Sequence, residues 1–294
     1  MYYILYPLFY LLSLLPWFVM YGISDFLYMV AYKWMKYRRD VVMANLAIAF
    51  PEKSLEEREK IASDFYHHFI DTLVETIKVL SMTDKELSER YEGNAEGLNQ
   101  ILDEGKNLQI HAMHNFNWEI VHLNFVKQLR YPFLAVYMPV QNKTFDRIML
   151  KLRGRYGTKL ISAWKFKTAF HQYKDDPYML ALVADQTPGT PAKAYWLPFF
   201  GRMTPFVAGP EKGARFNNTA VVFCNFYPTK RGHYAFDYTL ITKNAAELTE
   251  VELTKKFVKY VEDCIRKNPS NYLWSHRRWK HAFNEEYRNN VIAE

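Results

Sequence analysis

His114 and Glu119 stand five positions apart in His114-Asn115-Phe116-Asn117-Trp118-Glu119, directly behind the apolar run Leu108-Gln109-Ile110-His111-Ala112-Met113. An imidazole presented at a strand end and oriented by an acid can act as a general base on a hydroxyl at neutral pH. In that reading His114 takes the proton, while Glu119 fixes its tautomer and stabilises the imidazolium. The bland reading is a polar helix entrance with a satisfied histidine. The chain has nine histidines and about one residue in ten is acidic, so roughly one such spacing arises by chance and the pair gains weight only from context. On a regular helix an offset of five does not bring two side chains to one face, so their contact requires a loop-to-helix bend.

Other side chains offer related chemistry. Asp185, in Asp185-Gln186-Thr187-Pro188-Gly189, places a second carboxylate behind an apolar run, or else serves a turn. Pro198-Phe199-Phe200-Gly201 follows and reads as a buried loop. Arg153 and Arg155, in Leu152-Arg153-Gly154-Arg155-Tyr156-Gly157, are donor forks for a phosphate or a developing oxyanion, or a solvated helix end. Tyr272 to Lys280 joins aromatics to basic residues, a combination suited to phosphate, headgroup or single-stranded nucleic acid. His111, His114, Glu119 and His122 match no zinc spacing, so no metal is expected. There is no Gly-x-Ser-x-Gly elbow, no activating motif beside Cys224 or Cys264, and no phosphate-cradling glycine loop. The two cysteines suggest neither a disulfide framework nor a thiolate metal site, and a reducing compartment is the default.

The elements that must position these groups follow from periodicity. The pattern predicts a helix ending at Pro51, then another starting with Ser54 as N-cap and Glu57 at the capping-box position. Ile61, Phe65, Phe69, Leu73 and Ile77 recur every four residues and mark its apolar face. Beyond Gly93, strands are expected at Leu108 to Ala112, Phe133 to Met138, Tyr178 to Ala184, Thr219 to Tyr227 and His233 to Leu240. Helices are expected over 117–129, 142–155, 164–174 and 208–217, an α/β order in which ligands gather at the carboxyl ends of strands. A last amphipathic helix runs from about Glu247 to Lys267 and stops at Asn268-Pro269-Ser270-Asn271.

From Met1 to Tyr32 the only charged residue is Asp25, and Tyr2 to Tyr21 would span about 30 Å as a helix, one bilayer core. Ser13 and Pro16 within it predict a kink or a partly embedded segment. With no basic region before it and no small-residue cleavage site after it, a cleaved signal peptide is the weaker reading. Lys33, Lys36, Arg38 and Arg39 follow, placing the remainder in the cytoplasm beside anionic headgroups. The expected organisation is a membrane anchor over 1–32 and one domain over 33–294, long enough for a substantial core. The 22 Tyr, 21 Phe and 7 Trp suit a membrane interface. A net charge of +7 favours an anionic partner, whether nucleic acid, phospholipid or an acidic carrier protein, and the hydrophobic anchor makes nucleic acid the weakest choice.

Seven blocks in this order resemble the bacterial lipid A late acyltransferase family, the lauroyl and myristoyl transferases of the lysophospholipid acyltransferase-like superfamily. They are the apolar N-terminus; Arg38-Arg39 through Asn45-Leu46 to Phe50-Pro51-Glu52; His114 to Glu119; Arg153 to Gly157; Asp185-Gln186; Pro198 to Gly201; and Trp274 to Lys280. The resemblance implies an α/β fold with a mixed central sheet flanked by helices, behind an N-terminal membrane helix. It implies an inner-membrane enzyme, single-pass or embedded, with its catalytic domain facing the cytoplasm. Such an enzyme moves an acyl chain from acyl carrier protein to a hydroxyl of a lipid A precursor without metal, cofactor or covalent acyl-enzyme. Carried over residue by residue, His114 is the base, Glu119 its partner, and Arg153 or Arg155 together with Asp185 line the cleft. Met113 and Phe116 depart from frequent family glycines, which bears on the turn and on any backbone oxyanion donor there. Two other readings stand beside this one: the same chemistry on an aminolipid, glycolipid or other lipid, and a non-catalytic membrane-anchored lipid-binding protein.

Overall fold

All five residues of Leu108–Ala112 are buried, as expected of a strand covered on both faces of a parallel sheet. Its side chains alternate: Leu108, Ile110 and Ala112 enter one core layer, while His111 packs on Phe223 and Phe257 in the other. A computed structural model of the chain describes residues 1–290. Residues 291–294, the end of the expected second domain, lie outside the described residues.

The strands are β1 (Tyr91–Glu92), β2 (Leu108–Ala112), β3 (Phe133–Tyr137), β4 (Lys159–Ser162), β5 (Met179–Val183), β6 (Tyr195–Phe199), β7 (Arg202–Phe206), β8 (Ala220–Lys230) and β9 (His233–Thr242). Seven of them form one sheet in the order β1-β9-β8-β2-β5-β3-β4. Strands β8, β2, β5, β3 and β4 are mutually parallel, and only the β8–β9 pair is antiparallel. The expected mixed α/β sheet is present, mostly parallel. At the β8–β9 turn Gly232 has φ +74, and a Cβ there would lie 2.0 Å from the Tyr21 hydroxyl, so both conformation and space require glycine. The block Pro198 to Gly201, expected as a loop, instead ends β6 and turns into β7 through Phe200 and Gly201, both at positive φ. Pro198 and Pro205 hide this hairpin from a strand pattern, yet a two-stranded ribbon is all edge and tolerates them.

The helices are α1 (Tyr2–Ser13), α2 (Trp17–Tyr28), α3 (Arg39–Ala49), α4 (Leu55–Lys78), α5 (Asp84–Glu89), α6 (Glu96–Asp103), α7 (Trp118–Lys127), α8 (Lys143–Arg153), α9 (Phe166–Phe170), α10 (Gly209–Phe216) and α11 (Glu252–Lys267). The capping box of Ser54 and Glu57 starts α4 as predicted. Its buried face, however, includes Tyr66, Ile70, Asp71, Val74, Glu75 and Lys78, while Leu73 is 48% exposed. Of the expected apolar face, Phe65 is buried in the core and Ile61, Phe69 and Ile77 pack against it, so Leu73 alone turns to solvent, as the drift of about 40° per four-residue step on a helix of 3.6 residues per turn allows. Helix α11 begins later than expected, at Glu252, because Glu211 accepts the Val251 and Thr254 N–H groups and caps it from a distance.

The expected N-terminal membrane helix is not one helix. Among the described residues no single helix is long and apolar enough to cross a membrane, and Tyr2–Ser13 with Trp17–Trp34 meets that test only as a pair bent by 114°. Pro16 interrupts the run, and the buried Lys78 ammonium donates to the carbonyls of Ser13 and Leu15 at 2.8 Å each. Helix α2 then packs along α4, where Ser24 donates to Asp71 and Tyr21 to Glu75.

Candidate active site

Strand β2 ends at Ala112 and delivers His114 to the carboxyl edge of the sheet; the neighbouring β5 ends at Val183, in register with Ala112, and delivers Asp185 beside it. His114 Nδ1 lies 2.7 Å from Asp185 Oδ1, which also accepts the His114 backbone N–H at 3.2 Å. A carboxylate on Nδ1 places the ring proton there and leaves Nε2 as the free acceptor. The His114 side chain is 18% exposed and Asp185 is buried. Burial raises the Asp185 pKa, but His114, its hydrogen bonds and the charge of Arg278 together hold it below the usual carboxylate value.

The carboxylate on His114 is therefore Asp185 and not Glu119. Asn117 caps α7 by accepting the Glu119 N–H, and the helix carries the buried Glu119 side chain towards α8, where Arg153 clasps it. Arg153 Nε donates at 3.0 and 3.2 Å to the two oxygens and Nη2 donates at 2.6 Å. Trp118 links the two pairs, since its indole N–H donates to Glu119 and its ring meets the His114 ring edge-to-face at 5.3 Å. Arg155, the other candidate, points elsewhere: it donates to the carbonyls of Val79 and Met82 and ties down the end of α4. One residue of chain separates the two arginines, and the helix end at Gly154 sends them apart. His111 and His122 are also separated from His114; His111 packs between Phe223 and Phe257, and His122 lies 2.8 Å from the Thr158 hydroxyl.

The turn that holds His114 is braced from three sides. Asn115 donates to Asn225 and to the Phe226 carbonyl, and Phe116 N–H donates to Asn271. Asn117 donates to Glu75, which also accepts from Tyr21 and Tyr234. Burial pushes Glu75 up to about 7 against those hydrogen bonds. Neither Met113 nor Phe116 has a positive φ, and both are buried, Phe116 against Phe65 and Phe69. The turn thus needs no glycine at either position. The Asn115 and Phe116 N–H groups are engaged by the Met113 carbonyl and Asn271, so neither is free for an oxyanion.

The C-terminal aromatic and basic block is structural at its centre. Leu273 N–H donates to the His114 carbonyl, Asn45 donates to the carbonyls of Trp274 and His276, and Arg38 donates to that of Ser275. Thr187 donates to the Arg278 carbonyl. Arg278 is fully buried, with one hydrogen bond to Pro205. Its Nε and Nη1, the Tyr272 hydroxyl and Asp185 Oδ2 are buried without hydrogen-bond partners, and they act on one another electrostatically. Arg278 is a cation behind Asp185, a role its sequence position among exposed-looking basic residues does not reveal.

Residues 1–281 match the family model of bacterial lipid A biosynthesis acyltransferases. The chain belongs to that family. It is 25% identical to the lipid A biosynthesis lauroyltransferase of Escherichia coli strain K12, over 90% of this chain and 87% of the relative. It is 24% identical to the palmitoleoyltransferase of the same strain and to a lipid A biosynthesis acyltransferase of Shigella flexneri, each over 85% of this chain and 81% of the relative. This lipid A acyltransferase family member thus carries a histidine paired with one carboxylate at the ends of two adjacent parallel strands, and an arginine at the end of α8 paired with another carboxylate on α7.

Proposed function

We propose that the enzyme transfers a fatty acyl chain from acyl carrier protein to a hydroxyl of a lipid A precursor by direct attack, with His114 as general base. The observation that carries this reading is the 2.7 Å contact between His114 Nδ1 and Asp185, which leaves Nε2 free to accept a proton. Nε2 removes the proton from the acceptor hydroxyl as its oxygen attacks the thioester carbonyl. Asp185 holds the imidazolium that forms. The tetrahedral oxyanion develops within reach of Arg153, whose Nη1 is not used by Glu119. Collapse expels the carrier thiolate, which recovers the proton from Nε2, so the products are an ester and a thiol. Glu119 acts as a positioning residue for Arg153.

We assign residues 1–32 as the membrane-contacting part and residues 33–294 as the acyltransferase domain, on the cytoplasmic face of the inner membrane. The bent pair α1–α2 leaves Tyr3, Ile4, Leu11, Phe18 and Phe26 exposed, a surface suited to embedding in the interface. The test is to incubate the full-length protein with a mixture of acyl carrier protein thioesters and a tetra-acylated lipid A precursor, then weigh the products. A mass increase by one acyl group on the precursor is expected. His114→Ala should remove turnover while the fold is retained, and near-wild-type activity in that variant would sink the assignment.

A further inference from the structure

The sheet edge that carries His114 continues into an apolar surface that the chemistry does not use. Ala112 is in register with Val183, Ala135 with Ala181, and Tyr137 with Ser162, so the segments behind β2, β5, β3 and β4 leave the sheet at one level. Adjacent strands lie about 4.8 Å apart, which puts the residues behind β4 roughly 14 Å from His114. Along this row Val183, Met138, Val140 and Trp164 are exposed, Trp164 to 72%, with Phe145 in the first turn of α8. Exposed apolar side chains gathered along one edge of a sheet signal a binding surface.

Two observations say what covers it. Residues 138 to 167 contain eight basic side chains and one acidic, Asp146, and Asp146 accepts the Val140 N–H; the exposed Lys143, Lys165 and Lys167 border the apolar residues. The patch is also continuous with the N-terminal apolar surface. Arg147 of α8 lies 4.0 Å over the Tyr2 ring and Lys151 lies 4.1 Å over Tyr6, so α1 runs against the same helix with Ile4 and Leu8 exposed.

We propose that Met138, Val140, Phe145 and Trp164, with Lys143, Lys165 and Lys167, form a second membrane contact that seats the His114 edge of the sheet on an anionic bilayer surface. The aromatic and aliphatic groups enter the interface and the ammonium groups meet lipid phosphates. With α1 on the other side, the catalytic edge faces the lipid, and a bilayer-resident acceptor reaches His114 without leaving the interface. This inference rests on the reading of the enzyme as one that works on a lipid acceptor.

The experiment measures partition of the full-length protein onto sedimenting vesicles of phosphatidylethanolamine with phosphatidylglycerol, and onto phosphatidylcholine alone. The variants are Met138→Ser/Trp164→Ser, Lys165→Glu/Lys167→Glu, and Ile4→Ser/Leu8→Ser. Each of the first two pairs should lower partition onto anionic vesicles by about tenfold, with the lysine pair having no effect on phosphatidylcholine. Turnover of acceptor dispersed in detergent should stay at the wild-type level in both, while turnover of acceptor embedded in vesicles falls with partition. If Met138→Ser/Trp164→Ser binds like wild type while Ile4→Ser/Leu8→Ser does not, the second contact is overturned and the N-terminal membrane surface stands. An unchanged partition with a raised KM for the carrier thioester would make the patch a carrier dock and also overturns it. Failure of the wild-type protein to bind either vesicle would remove the membrane reading itself, whereas absence of acyl transfer in detergent would remove the proposed reaction.

Discussion

The proposed mechanism needs one ring nitrogen of His114 held and the other aimed at substrate, and the contact on Nδ1 is with Asp185. Asp185→Asn keeps the shape but offers a neutral amide, so kcat should fall by about 10³–10⁴-fold with the fold retained. A variant keeping more than a tenth of the activity would return the orienting role to another group. Glu119→Gln acts through Arg153, which would lose a buried ionic partner and its fixed position. Its kcat should fall less than that of Asp185→Asn, and a loss as large as that of Asp185→Asn would contradict its assignment as a positioning residue. The conserved shape of the turn in these variants can be read from an unchanged near-UV spectrum, because Trp118 touches both pairs.

At the scale of elements, the position of α1 depends on a side chain from α4. Lys78 supplies donors that the break at Pro16 removes from the helix, and Lys78→Met would leave the Leu15 carbonyl unpaired and the Ser13 carbonyl with the Ser81 hydroxyl alone. A loss of about 2–4 kcal/mol is expected from the two charge-assisted hydrogen bonds, together with faster proteolysis at Leu14. Equal denaturation midpoints and equal cleavage would show that the position of α1 does not depend on Lys78. The same helix buries residues that an apolar stripe does not register: Asp71, Glu75 and Lys78 are buried because each has polar partners, Asp71 from Ser24 and Arg231, Glu75 from Tyr21, Asn117 and Tyr234. Periodicity registers apolar side chains and is blind to a polar face that is satisfied.

For the whole molecule, buried ionisable groups set how stability depends on pH. Burial pushes His111 down to about 3 and His122 down to about 4. Between those values and 6.5 the unfolded chain binds more protons, so stability is present above about pH 6.5 and is lost on acidification, by about 1.4 kcal/mol per pH unit for each group. Glu75 has the opposite sign. Raised to about 7, it keeps its proton in the fold after the unfolded chain has released it, so its contribution falls as pH rises from about 4.5 to 7. Glu75→Gln should therefore gain on the wild type as pH rises from 5 to 8, by an amount on the order of 3 kcal/mol. Denaturant titrations at several pH values check this, and parallel stability curves for the two proteins would refute it.

The sequence by itself determined the α/β order, the capping box of α4, the strand Leu108–Ala112 to the residue, and the family through blocks spread along the chain. These are local or ordered along the chain, and periodicity and motif order report them directly. The tertiary structure alone decided which carboxylate serves His114, which arginine serves Glu119, and that Arg278 stands buried behind Asp185. Asp185 lies 71 positions from His114 and meets it only because β2 and β5 are neighbours in register, a pairing of parallel strands set by the sheet and not by sequence distance. Glu119 looked nearer along the chain, but the cap at Asn117 starts a helix that carries its side chain to α8. The N-terminus divides in the same way: its composition announced an apolar surface, and the contacts of α2 and Lys78 with α4 decided that it bends.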